Sequence, residues 1–322
     1  MLIILRPLLP EIGITTASIA MMLLLSVTLD LPVIYPSGDR AAFVGVHYIY
    51  PLIGVAMLGV ITFFVGRRDI ALHFLAALPC YAIVLFVHFN IKLWVPYVNP
   101  TGFDELYWQI DTLFRPAIDF CIMARKSLVG LIPYQINFYM TSYIMLFYCS
   151  FCYHALKTPE QFHKLIVAVL LLQALGSLAY LVAPAIGPFI YEAGANPLAS
   201  EGQRGMLAFY HQAVAAGPAW LAGHGGANFT AGLAAMPSLH AAGAFLFVLF
   251  AWHHGRKLLP LYIPILCFIV VTAIANRWHY LIDIPFGMAL AWASYRLAAR
   301  LTASVAGPRA GDHVIAPVMA MG

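Results

Sequence analysis

The chain has 322 residues, 62% of them hydrophobic and only 9% charged, with a net charge of +4 and a mean hydropathy of +0.86. Soluble domains carry about 25% charged residues, so a water-facing globular protein of this size is excluded. The modest charge comes without a basic block and gives no footing for nucleic acid. What remains is an all-α, polytopic membrane helix bundle.

A membrane-spanning helix needs about 20 apolar residues. Eight stretches meet that approximately: 12–31, 42–66, 70–94, 134–156, 164–184, 237–254, 258–276 and 279–301. The first follows Arg6 but is longer than the apolar core of a signal peptide and lacks an A-x-A site, so it reads as an uncleaved span. Between the third and fourth spans, "FDELYWQIDTLFRP" repeats Phe103, Leu106, Tyr107, Ile110, Leu113 and Phe114 at helical spacing. Asp104, Glu105, Gln109, Asp111 and Arg115 take the other face, the pattern of a helix lying in the membrane interface. The segment 185–236, rich in Gly, Ala and Pro, is too apolar for a free linker. It either caps a site or simply connects two helices. The five cysteines form no disulfide framework, and Cys149 and Cys152 lie inside an apolar run as packing residues.

Short loops rich in Lys and Arg orient such a bundle. With the N-terminus inside, the inner turns and tails hold Arg6, Arg67, Arg68, Lys157, Lys164, Arg256, Lys257, Arg296, Arg300 and Arg309, ten of the 17 Lys and Arg. Both termini are then cytoplasmic, and 95–133 and 185–236 lie outside. The expected organisation is one membrane domain over 1–322. It comprises three N-terminal spans in 1–95, an outer interfacial segment in 96–133, a helix bundle in 134–303 with its outer loop 185–236, and a tail in 304–322.

Ionisable groups inside spans are costly and usually mark function. Two clusters stand at outer helix ends. Pro237-Ser238-Leu239-His240 opens the sixth span, with proline at a favoured first position and free N–H groups that seat a phosphate. Arg277, His279 and Asp283 stand at the start of the eighth. A helix beginning near His279 puts 279 and 283 on one face, where Asp283 accepts the Nδ1 proton and leaves Nε2 as a nucleophile. Arg277 offers a planar fork for phosphate oxygens. One histidine paired with a carboxylate and one unpaired is the asymmetry that separates two catalytic roles. The alternative for each cluster is structural, a capped helix start and a buried ion pair. His47, His73, His88 and His154 read as packing or interface residues, and His211 and His224 as loop residues within reach of a polar substrate. No sequence motif for a metal or a nucleotide cofactor is present.

Pro-Ser-x-His opening one helix, with Arg-x-His-x-x-x-Asp about 40 residues later, resembles the type 2 phosphatidic acid phosphatase superfamily. "MPSLH", "RWHYLID" and "YLVAPAIGPF" are most similar to its inositol phosphorylceramide synthase branch, over roughly residues 180–290. The resemblance implies that His279, oriented by Asp283, attacks a lipid phosphate to give a phosphohistidine. His240 would protonate the leaving oxygen and then deprotonate the acceptor, without a metal. Phosphate binding would fall to Arg277, Ser238, Arg115 and Arg204. Two departures stand out. The family's Lys-x6-Arg-Pro finds Arg115-Pro116 with Trp108 where lysine belongs, and the arginine six before the nucleophile is Ala273.

The expected function is a membrane phosphotransferase moving a phosphate-linked headgroup from a phospholipid or polyprenyl phosphate to a lipid or glycan acceptor. A lipid phosphatase using the same residues is the alternative. A transporter would place its charges at mid-membrane rather than at helix mouths, and a purely structural subunit would need none of them for activity. The expected setting is a bacterial inner membrane, with the site outside the cytoplasm.

Overall fold

The computed structural model describes residues 8–37, 53–54, 56–231 and 234–306. These are helical, with no strand among them. In chain order the helices are α1 (Leu9–Thr28), α2 (Arg68–Val98), α3 (Asp104–Leu113), α4 (Arg115–Ser127), α5 (Phe138–Lys157), α6 (Pro159–Val182), α7 (Pro197–Ala216), α8 (Pro218–His224), α9 (Leu239–His254), α10 (Leu259–Ala275) and α11 (Asp283–Ala306). Residues 56–64 are also helical, and the rest of the expected span 42–66 lies largely outside the described residues. Proline stands at one of the first two positions of α1, α4, α6, α7, α8 and α10, where its missing N–H costs no hydrogen bond.

The molecule is a polytopic helical membrane protein. Among the described residues four helices are long and apolar enough to cross a membrane: Leu9–Thr28, Ile70–Val98, Pro159–Val182 and Arg256–Ala275. Eight were expected. Helix α9 is apolar but has only 16 residues. Helices α5 and α11, with 20 and 24 residues, do not meet the same apolarity.

Helix α6 is the central post. Every residue from Leu165 to Leu172 is buried, so it is enclosed on all sides, as expected of a helix that is apolar all round. It packs against α1, α2, α5, α9 and α11. Helices α9 and α11 approach closely where Gly287 meets Ser238 and Ala242, all small residues. A Cβ on Gly287 would lie 2.7 Å from the Ser238 carbonyl oxygen, so only glycine fits there.

The segment 96–133 contains the expected amphipathic helix. It folds as two helices, α3 and α4, and the polar face of α3 turns partly inward. Asp104 and Asp111 are buried, whereas Leu106, Leu113 and Phe114 are exposed. The two aspartates are drawn in by backbone N–H groups and cations of the loops behind them. Asp104 accepts hydrogen bonds from the N–H groups of Ile186 and Gly187 and from the Tyr280 hydroxyl at 2.8 Å. Asp111 accepts from the Leu281 N–H at 2.9 Å and from Arg277. Helix α3 therefore braces the turn between α10 and α11.

Candidate active site

That turn is built in steps from the end of α10. The Arg277 N–H donates to the Ile274 carbonyl and the Trp278 N–H to the Ala273 carbonyl. Arg277 lies in the left-handed region, at φ 56°. Together these form the double closure that ends many helices, usually with glycine in the left-handed position. A side chain there costs roughly 1–2 kcal/mol. Arg277 is held in place by ion pairs, with Nη2 2.9 Å from Asp111 Oδ2 and Nε 2.8 Å from Glu192 Oε1. Its guanidinium also lies over the Trp108 ring, 5.5 Å from the centroid. Burial pushes the Asp111 carboxyl above its usual range, against the pull of the Leu281 N–H and of Arg277. The Tyr280 phenol is likewise raised, by burial and then by the charge of Asp104.

His279 follows from this anchor. Helix α11 begins at Asp283, later than the expected start near His279, with Pro285 in its first turn. The pairing survives through the turn: His279 Nδ1 lies 3.2 Å from Asp283 Oδ2. The Tyr280 N–H also donates to Asp283 Oδ2, at 3.0 Å, the back-reach made by the acidic residue of a capping box. Asp283 is completely buried, while His279 keeps some exposure. One carboxylate thus caps the turn and orients the imidazole.

The Ser238 N–H donates to the Asp283 carbonyl at 3.3 Å, which fixes the mouth of α9 against the start of α11. His240, in the first turn of α9, stands edge-on to Tyr139 and Tyr143, with ring centroids 5.3 and 4.9 Å away. His240 and His279 line one cavity of about 460 Å³ at this end of the bundle. Lys92 near the end of α2, Arg125 on α4, Asn137 at the cap of α5 and Asn196 at the cap of α7 share its wall. Arg125 is buried, its Nε and Nη1 have no hydrogen-bond partner among the described residues, and its guanidinium lies 4.5 Å from the Tyr134 ring centroid.

The outer loop 185–236 reaches this cavity with Ile186, Asn196, Leu198, Ala199, Ala234 and Ala235. It is tied to the turn that carries His279 through the Phe189 N–H on the Arg277 carbonyl and Gln203 Nε2 on the Asn276 carbonyl at 2.7 Å. These contacts hold the loop against that turn. His211 and His224 are exposed, and His224 stacks on Trp220.

The residues singled out in the sequence therefore separate. His240, His279 and Asp283 come together. Ser238 is buried, does not line the cavity, and its Oγ has no partner among the described residues. Arg277 is consumed by Asp111 and Glu192. Arg115 pairs with Asp119 and, at 2.7 Å, with Glu192, whose hydrogen bond raises its affinity for its proton. Arg204 is exposed on α7, away from the cavity wall. The cations at the cavity are instead Lys92 and Arg125, which the sequence reading passed over. A lysine inside the third apolar run was the available signal for Lys92. It opens Lys-x6-Asn-Pro, ending at Asn99-Pro100. Nothing local marked Arg125.

The fold and cavity define a helical integral membrane protein with two histidines and two cations around one cavity. A family model of the PAP2 superfamily matches residues 131–297, over half of the chain and wider than the stretch that carries the resemblance in sequence. The chain belongs to the PAP2 superfamily, which implies phosphatase or phosphotransferase activity. Among curated proteins and among solved structures nothing matches the chain.

Proposed function

We propose that the chain transfers a phosphate-linked headgroup from a lipid donor to a lipid or glycan acceptor through a phosphohistidine at His279. In this reading it works at the extracytoplasmic face of a bacterial inner membrane, with both termini in the cytoplasm. One observation carries it: His279, held at Nδ1 by Asp283, shares a cavity with His240 and with the cations Lys92 and Arg125.

The Nδ1–H of His279 donates to Asp283, so the lone pair stays on Nε2. Nε2 attacks phosphorus; a P–N bond forms and the P–O bond to the donor alcohol breaks. His240, as imidazolium, gives its proton to that oxygen. The neutral His240 then takes the proton of the acceptor hydroxyl, whose oxygen attacks phosphorus and breaks the P–N bond. The proton returns to His240 and the cycle closes.

Lys92 and Arg125 would hold the phosphate oxygens. Lys92 fits the lysine of the family's Lys-x6-Arg-Pro, with Asn99 in place of the arginine. Ala273, six before His279, lines the same cavity. Arg125 enters from α4 and would supply the charge that Ala273 lacks. Lys92 and Arg125 are one cation fewer than the family's lysine and two arginines. Fewer cations suit a phosphodiester with one charge better than a monoester approaching two, which favours headgroup transfer over monoester hydrolysis and fits the inositol phosphorylceramide synthase-like branch. Asn137, Asn196 and Thr272, beside Met140, Leu198 and Phe268, leave polar and apolar wall for an acceptor.

The test offers radiolabelled phospholipids and polyprenyl phosphates to the purified protein, with His279→Ala and His240→Ala alongside. Label moving to a new lipid, and lost in both variants, is the expected result. Release of inorganic phosphate alone identifies the phosphatase that uses water in place of the alcohol. Turnover untouched by either substitution sinks both.

A further inference from the structure

A second polar cluster lies at the opposite end of α6 from the cavity, where the N-terminal parts of three helices converge. Glu11 on α1 is completely buried. His163 Nε2 of α6 lies 3.0 Å from its Oε1 and 3.1 Å from its Oε2. His73 Nδ1 of α2 lies 3.4 Å from Oε1 without a hydrogen bond, and both of these atoms have no hydrogen-bond partner among the described residues. The imidazoles of His73 and His163 stack with centroids 4.2 Å apart. A buried carboxylate is costly unless its charge is matched. Protonating both stacked imidazoles would match it only by setting two like charges face to face, and one neutral imidazole leaves His73 Nδ1 idle.

We propose that Glu11, His73 and His163 bind one divalent transition-metal ion of the zinc type. Two neutral imidazoles and one carboxylate are the donor set such an ion takes, with a fourth position for water. Ligand atoms on a tetrahedral ion bonded at about 2.1 Å stand about 3.4 Å apart. The three candidate ligand atoms all lie within 4.8 Å of one another, so small side-chain shifts close the site. The ion matches the buried charge and uses the idle Nδ1. His163 lies inside the family-matched segment 131–297, and Glu11 and His73 lie before it. The ion is therefore a clamp that fastens α1 and α2 to the family core. It takes no part in the chemistry at His279: His163 is near the start of α6, and Gly176, which meets Leu239 beside His240, is thirteen residues on, roughly 20 Å at 1.5 Å per residue.

The test measures bound metal in the full-length protein purified without chelator, and then the unfolding temperature before and after chelation. About one zinc per chain is expected, with the unfolding temperature falling on chelation and returning with added Zn²⁺. Glu11→Gln and His163→Ala should weaken binding at least ~tenfold, while His224→Ala, on the exposed outer loop, keeps the ion. Should the two variants not fold, Co²⁺ loaded into the chelated wild type must give the visible absorption of a tetrahedral nitrogen and oxygen site, displaced by Zn²⁺. A wild type that binds neither Zn²⁺ nor Co²⁺, or variants that retain the ion, would overturn the proposal.

Discussion

Arg277 Nη2 lies 2.9 Å from Asp111 Oδ2, and the two side chains are almost wholly removed from solvent. This pair joins helix α3 to the turn that carries His279, two residues on. Breaking it leaves one buried charge alone, a loss of about 3–5 kcal/mol for pairs of this kind. Asp111→Asn and Arg277→Met are each expected to lower stability on that scale. Combined, they should cost less than the sum of the two, because the second removes a charge the first has orphaned. A double-mutant cycle by thermal or denaturant unfolding in detergent reads the coupling directly.

Arg277→Gly makes a finer distinction. Glycine relieves the left-handed backbone cost at φ 56° yet removes both ion pairs. If Arg277 anchors the turn rather than binding phosphate, turnover should fall while KM for the donor changes little. A selective rise in KM would return Arg277 to the role of phosphate ligand.

The cavity wall predicts a different order of importance for the cations from the one the sequence suggests. Lys92→Met and Arg125→Met are expected to lower kcat/KM by about 10²–10³ each, the range for removing a donor aimed at developing charge. Arg204→Ala should leave it near wild type, since that side chain is exposed and away from the cavity. Initial rates on one defined lipid donor settle the ranking.

Gly287→Ala adds a single methyl where α11 meets the Ser238 carbonyl at 2.7 Å. Backbone cannot yield as a side-chain tip does, so α9 must move away from α11. Overpacking of this kind costs about 1–3 kcal/mol. Because Ser238 is bonded to Asp283 and precedes His240, turnover should fall as well, although position 287 does not line the cavity. Unfolding temperature and turnover measured on the same preparation check both halves.

Much of this was legible in the chain, and the remainder was hidden for identifiable reasons. Apolar runs announced the helices and Pro237 announced the mouth of α9, whereas α11 starts at Asp283, four residues after the expected start near His279. The short spacings carried true contacts: His279 and Asp283 are four apart and do pair. Long-range partners left no such trace. Asp111 and Arg277 are 166 positions apart, and Glu11 and His163 are 152 apart. Their pairing depends on how α1, α3 and α6 are placed, which no local period encodes. The inward turn of Asp104 and Asp111 was missed for the same reason. An amphipathic pattern fixes which residues share a face, and the loop behind that face decides whether it meets water or protein. Arg125 sits among ordinary interfacial residues until α4 is packed beside α10.

The most direct test of the phosphohistidine reading is to trap labelled enzyme. Wild-type protein is mixed with a donor radiolabelled at phosphorus, quenched in alkaline detergent and digested for peptide mapping. The expected result is acid-labile label on the peptide that contains His279, absent from His279→Ala. In Asp283→Asn the label should form orders of magnitude more slowly, as expected when the orienting carboxylate is lost. Label on another residue, or full turnover by His279→Ala, would contradict it.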